Sequence, residues 1–353
     1  MKRRLSLALT AIAVVVLTVP VFAQRVDIQE RAMHVAREVA KISIKPHFDW
    51  FYSGVIALDG GLRVYEATED ELFLKMVLLW GDEFVNGNRQ IATGHVDKDM
   101  PGLVALKLYQ YTGNQGYLDL ANRNIVDLVF GATRVVNHSR FWADDLYMVC
   151  PMLALAGNIL DRPEYFSLVV SQFEAYREAL LKDNGLYQHT FSVPYAWGRA
   201  NGWIAVALVE CLKFIPEGFE GWGTLLKMYQ EYMDTILRFQ DEEGMWHQVL
   251  EYPESYQETS CTAMFVYSLA AGCINGWLPE QISEEAKEAA FRGFEALLQR
   301  LDPLYRLKDI CVGTNAGDTL EYYFERPTRA GDWHGMAPLM WACVEIAELA
   351  ALE

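Results

Sequence analysis

Closely spaced cysteines, long apolar runs and positive charge are all scarce in this chain of 353 residues. Its six cysteines, at 150, 211, 261, 273, 311 and 343, lie far apart and mostly inside apolar helical runs. No CxxC occurs, so neither a disulfide scaffold nor a thiolate metal site is indicated, and the cysteines read as buried thiols. Lys and Arg number 30 against 47 Asp and Glu, a net charge of −17. That field repels nucleic acid and anionic membrane, both of which are bound through cations that neutralise phosphate. A small anionic ligand needs only one or two well-placed arginines. The sequence also lacks HExxH, a Cys/His ligand spacing and GxSxG, which removes support for a metal site and for a serine-hydrolase elbow. No stretch after the N-terminal one approaches 18 uncharged apolar residues, so no membrane insertion of the mature chain is expected.

The N-terminal stretch is different. Lys2, Arg3 and Arg4 precede an apolar run from Leu5 to Val19, and Val21-Phe22-Ala23 carries the small residues a signal peptidase needs. Residues 1–23 are therefore expected to be an export signal cleaved before Gln24, leaving a mature chain at −20 in the periplasm or medium.

What is abundant is helix periodicity. Runs with a 3.6-residue period, separated by short Gly, Pro, Asn and Asp clusters, predict about twelve helices over 27–42, 50–67, 69–86, 98–113, 115–131, 142–160, 162–181, 198–215, 220–241, 257–275, 283–300 and 331–350. No low-complexity linker divides them, so 24–353 reads as a single domain. Their character alternates: RPEYFSLVVSQFEAYREALL has one apolar stripe, whereas NGWIAVALVECL and TSCTAMFVYSLAAG are apolar nearly all round. A helix without a polar face is buried on most sides. The alternation predicts an all-α fold, an (α/α)6 toroid of about twelve helices in two concentric layers. In such a ring the inner helices run in one direction, so the loops leading into them gather at one mouth, with helix N-termini facing it.

Those loops hold unusual residues. His95, His138, His189, His247 and His334 lie in them, as do Trp142, Trp197, Trp203, Trp246 and Trp333. Aromatics, His, Arg and carboxylates around one cavity are the make-up of a carbohydrate site, where rings stack on sugar C–H faces and polar groups read hydroxyls. Individually each has a plain alternative: an Asp as helix cap, a His or Trp as core. Asp144 and Asp145 stand together in RFWADDLYMVCP. Asp144, beside Trp142 and Tyr147, is the better general acid, its proton retained by apolar neighbours. Asp145 is the better helix-start residue.

Two motifs are specific. WADDLYM at 142–148 and WGRANGW at 197–203, supported by VDKDMPG, GLYQHTF, MWHQVL, ETSCTAMF and DWHGMAP, are similar to motifs of glycoside hydrolase family 105, the unsaturated rhamnogalacturonyl hydrolases, and more distantly of family 88, the unsaturated glucuronyl hydrolases. The resemblance covers about 40–350. It implies hydration of the C4=C5 bond of an unsaturated uronic acid at the non-reducing end of a lyase-generated oligosaccharide, with no metal or cofactor. It further implies Asp144 as acid/base, Asp97 as second carboxylate, and His189, Trp197, Arg199 and Trp203 as contacts of the unsaturated sugar, Arg199 as partner of its carboxylate. Trp142, His138 and His334 join them as candidate substrate-binding residues. The chain departs from the family at GATRVVNHSR, where an FWHK-type segment is usual and His138 would serve by another loop path. It departs again at Lys98-Asp99-Met100 and at Ala200. Two other readings stay open: an α/α-toroid glycosidase on saturated sugars, with Asp97 or Glu258 as second carboxylate, and a non-catalytic oligosaccharide-binding toroid.

Overall fold

The computed structural model describes residues 21–45 and 49–352. The expected export signal therefore lies outside the described residues up to position 20.

Helix α1 spans Val21–Ser43, α2 Tyr52–Thr68, α3 Glu71–Val85, α4 Val96–Asp99, α5 Pro101–Thr112, α6 Gln115–Val129, α7 Asp145–Ile159 and α8 Pro163–Leu180. Then follow α9 Gly198–Phe214, α10 Trp222–Leu237, α11 Thr259–Ile274, α12 Glu280–Gln299, α13 Leu320–Phe324 and α14 Trp333–Ala351. Apart from the short α4 and α13, each corresponds to one of the twelve segments predicted from periodicity. Among the described residues there is no sheet; isolated bridges such as Trp142 to Thr190 pin loops together.

Burial decides which helices go inside. In α7 every residue from Asp145 to Gly157 is buried, in α9 from Gly198 to Leu212, and in α11 from Thr259 to Gly272. The outer α6 buries only one side, through Tyr117, Leu118, Ala121, Ile125 and Leu128. The spacing of three and four places these on one face toward α5. The inner helices α2, α5, α7, α9, α11 and α14 each touch the next, and α14 returns to α2. Gly60 permits that closure: a Cβ there would stand 2.4 Å from Met340 Cε. The outer helices α1, α3, α6, α8, α10 and α12 back them, and Arg31 of α1 meets Glu295 of α12 at 2.6 Å. This is the two-layer α/α ring expected.

The two ends of the ring differ. At the C-terminal end of the inner helices Asp59 Oδ2 accepts from Arg63 Nε at 2.9 Å and its Oδ1 from Lys107 Nζ at 2.5 Å. Arg63 Nη2 meets Glu210 Oε2 at 2.7 Å, and Tyr267 bonds both Arg63 and Glu210. Lys213 pairs with Glu345 beside them, and the group borders a cavity of 290 Å³. Above it Tyr147 stacks on Trp203 at 4.4 Å with Trp341 at 5.8 Å, an aromatic plug separating this base from the mouth.

Candidate active site

The mouth is assembled by hydrogen bonds between the loops leading into neighbouring inner helices. Asp145, the first residue of α7, folds back on its own loop: its carboxylate accepts from the backbone N–H of Arg140 at 2.7 Å, from Arg140 Nε at 2.8 Å and from Tyr176 OH at 2.7 Å. The loop it holds is tight, with positive φ at His138 (66°) and Phe141 (56°), a conformation residues with a Cβ rarely adopt. Phe141 stacks on Tyr176 at 4.8 Å, which helps hold the turn. Arg140 is thereby aimed at the loop before α5, where its Nη2 lies 3.1 Å from Asp97 Oδ1 and its guanidinium covers the Trp142 ring at 4.7 Å. Asp97 sits in the first turn of α4, capped by His95 Nδ1.

Asp144 occupies the N-cap position of α7, yet its side chain caps nothing. It turns instead to His189, whose Nε2 stands 3.4 Å from Asp144 Oδ2. The imidazole is fully buried, edge-on to Trp142 at 5.2 Å and tilted on Trp197 at 4.8 Å. Its Nδ1 meets Tyr323 OH at 2.7 Å. On the other side of the mouth Tyr52 OH bonds His334 Nε2 at 2.9 Å, while Asp332 Oδ1 holds His334 Nδ1 at 2.6 Å. Because the carboxylate takes the Nδ1 proton, Nε2 is the acceptor and Tyr52 the donor. Burial raises the Tyr52 phenol above its ordinary value, with the charge of Arg199 opposing and those of Asp97 and Asp144 adding to the rise.

The structure brings Asp97, Asp144, Trp142, His189 and His334 around one mouth and treats the other named residues differently. Arg199 is 1% exposed, with Nη1 on Cys311 O at 2.5 Å and Nη2 on Val312 O at 2.6 Å, so in this form its donors anchor the loop that follows α12. Trp197 and Trp203 are each 1% exposed, whereas Trp142 is half-buried. His138 pairs with Asp127 of α6 at 3.1 Å, on the outer side of its loop. His247 is engaged by Ser255 O and Asp241. Glu258 caps α11, accepting from Ser260 N at 3.1 Å and Cys261 N at 2.8 Å, and also takes Cys311 N at 2.9 Å. That carboxylate has no free oxygen to offer a glycosidic bond. Two mouth residues escaped the sequence reading. Tyr323 lies in the short α13, too brief to register as a period, and Tyr52 lies inside the predicted 50–67 segment, where it reads as an ordinary helical residue.

Electrostatics corrects one expectation. Burial raises Asp144, as its apolar surroundings predict, but the hydrogen bond and charge of His189, then Arg140 and Arg199, outweigh burial and hold the carboxyl below its ordinary value. The carboxyl that is raised is Asp97, pushed up by burial against Arg140 and His95, with Asp144 and Asp145 adding to the rise. Asp145 is raised as well, chiefly by burial. His189 therefore favours the ionised form of Asp144, and burial makes Asp97 the carboxyl more ready to keep a proton.

Residues 25–350 match the family described as Glycosyl Hydrolase Family 88. The chain is 26% identical over 272 residues to the unsaturated rhamnogalacturonyl hydrolase YesR of Bacillus subtilis strain 168, covering 68% of this chain and 76% of that one. Its fold superposes on a family 105 glycoside hydrolase of C. acetobutylicum with a TM-score of 0.78 at 25% identity, covering 90% of this chain and 98% of the other. The unsaturated glucuronyl hydrolase of Streptococcus agalactiae shares the fold at a TM-score of 0.70 and 16% identity, over 91% of each chain. With its two-layer ring and paired carboxylates at one mouth, this chain belongs to Glycosyl Hydrolase Family 88.

Proposed function

We propose that the chain removes an unsaturated (4,5-dehydro) uronic acid from the non-reducing end of lyase-generated oligosaccharides by hydrating its C4=C5 vinyl ether. The observation that carries this reading is Asp144: a helix-start carboxylate that caps nothing, faces a buried histidine and shares its mouth with Asp97. The names of the relatives point to the same substrate class.

The chemistry needs one proton donor and one water. Asp144 in its acid form gives a proton to C4, and the positive charge develops at C5 and the ring oxygen. Water adds at C5 and returns a proton to the carboxylate, so the group ends as it began. The hemiketal formed opens by itself and releases the aglycone. His189 holds Asp144 low, so the carboxyl takes its proton from solvent as the substrate enters: a uronate carboxylate adds negative charge and removes water, and both raise a neighbouring carboxyl. Trp142, half-buried at the mouth, is the candidate stacking ring, and Tyr52, oriented by His334, is the candidate hydroxyl contact.

The test is loss of the C=C absorbance when the full chain meets unsaturated disaccharides from pectin, ulvan and glycosaminoglycans. Loss on at least one of them, abolished in Asp144→Asn, supports the reading. No loss on any, release of a saturated product, or full activity of Asp144→Asn overturns it. We also propose that the chain reaches this substrate outside the cytoplasm through cleavage before Gln24. N-terminal sequencing of protein recovered from a periplasmic extract would give Gln24 first; an intact Met1 there would refute the cleavage, and recovery from the cytoplasmic fraction alone would refute the export.

A further inference from the structure

We infer that Tyr323 fixes the tautomer of His189 and, through it, selects which oxygen of Asp144 carries the proton. Tyr323 is thus a positioning residue, and the catalytic half of this inference rests on the hydration proposed above.

The argument is a count of hydrogens. Tyr323 is fully buried, and its hydroxyl has two neighbours. The backbone N–H of Gly317 donates to it at 3.2 Å, and His189 Nδ1 lies 2.7 Å away. A phenol carries one hydrogen. Were Nδ1 also to donate, that hydrogen would be buried with no acceptor, a state folded proteins avoid. Tyr323 therefore donates to Nδ1, Nδ1 is bare, and the ring hydrogen sits on Nε2.

The far side of the ring agrees independently. Nε2 of His189 and Oδ2 of Asp144 are both shut off from solvent, and neither completes a hydrogen bond in this arrangement, so each is left facing the other. At 3.4 Å they are each other's only choice. An Nε2–H donates to the carboxylate; the opposite tautomer would turn a lone pair toward it and force Asp144 to be protonated or to swing away. Trp142 and Trp197 flank the imidazole, so the ring has no room to exchange its two nitrogens. Oδ2 is then committed to His189, and Oδ1 is left to take a proton and pass it to C4.

His334 shows the contrast. There a carboxylate, Asp332, holds Nδ1 and makes Nε2 an acceptor for Tyr52. The two histidines of the mouth are wired in opposite sense: a tyrosine behind His189 makes it a donor toward Asp144, and a carboxylate behind His334 makes it an acceptor from Tyr52.

The experiment is a long-range 1H–15N spectrum of the full-length chain with labelled histidine, recorded without substrate, beside a pH profile of kcat/KM. The expected wild-type signal for His189 is the Nε2–H tautomer. In Tyr323→Phe, which keeps the ring and loses the hydroxyl, the tautomer bias disappears, kcat/KM falls by about 10–100-fold, by analogy with metal-bound histidines that lose their orienting partner, and the profile shifts along the pH axis. An Nδ1–H signal in the wild type overturns the inference, and so does a Tyr323→Phe chain with unchanged tautomer and unchanged profile. Should Tyr323→Phe not fold, the wild-type spectrum decides alone. A chain inactive on unsaturated uronides that still shows Nε2–H would remove the proposed reaction and leave the tautomer assignment standing.

Discussion

The two ends of the ring are built from the same residue types and behave as opposites. At the base, Asp59, Glu210 and Glu345 face Arg63, Lys107 and Lys213, three carboxylates to three cations. At the mouth, Asp97, Asp144 and Asp145 share Arg140 and a distant Arg199 that is tied to backbone carbonyls. Matched charges at the base pull Asp59 down to about 2 despite complete burial. At the mouth Asp97 and Asp145 rise instead, while Asp144 and Asp332 are held down beside histidines. Buried charge does not by itself mark a site of chemistry. What marks it is charge left unmatched where a substrate can enter, because only there is a proton free to move.

One exchange, Asp→Asn, separates the ends most strongly. At the mouth, Asp144→Asn is expected to lower kcat by about 10²–10⁴-fold, the worth of a positioned general acid, with a thermal midpoint close to that of the wild type. Turnover on an unsaturated disaccharide and a melting curve on the same sample check both halves. A variant that melts early would move Asp144 into the structural group.

At the base the same exchange is expected to do the reverse. Asp59→Asn keeps an acceptor oxygen but removes the negative charge that Arg63 and Lys107 face, and uncompensating buried cations in this way costs about 3–5 kcal/mol. Turnover per folded molecule should stay at the wild-type level. The acid side adds a second readout. Asp59 titrates at about 2 in the folded chain against an ordinary 3.8, so its stabilisation is complete above about pH 4 and is lost as pH falls toward 2. Urea unfolding between pH 5 and 2 should therefore converge for wild type and variant, and a constant gap would show that Asp59 is not the group being titrated.

The comparison also explains what could be read from the amino acids alone. Five of the six inner helices, α5, α7, α9, α11 and α14, were legible because each is apolar nearly all round, and the mouth was legible because its loops concentrate His, Trp and Asp. The base was not. Asp59 and Arg63, four apart on α2, lie in a segment that reads as an ordinary helix, and Glu210 interrupts WIAVALVECL only once. Their meeting depends on the ring closing, which no local pattern announces. The proton state of Asp144 was hidden for the same reason. Trp142 is two residues away in sequence and visible, whereas His189, which reverses the effect of burial, arrives from a loop 45 positions on.

A third carboxylate, Asp99 at the end of α4, belongs to neither end and tests whether mismatch alone, without a substrate, lifts a carboxyl. It is fully buried; Oδ1 accepts from Asn124 Nδ2 at 2.8 Å and Oδ2 has no partner. Burial, with Asp127 adding to it, pushes it up to about 6 from an ordinary 3.8. As pH rises through that interval the unfolded chain releases its proton first, so the folded state loses stability, and the loss is complete above about pH 6. Asp99→Asn keeps the acceptor for Asn124 and cannot ionise. It is expected to be more stable than the wild type at pH 7.5 by about 1–2 kcal/mol, less than the titration alone would give because its amide inherits the unpartnered position of Oδ2. At pH 4 the difference should shrink to nothing or change sign. Guanidinium melts at the two pH values decide it, and equal gaps at both would mean that Asp99 is ionised throughout and matched by a charge outside its own helix.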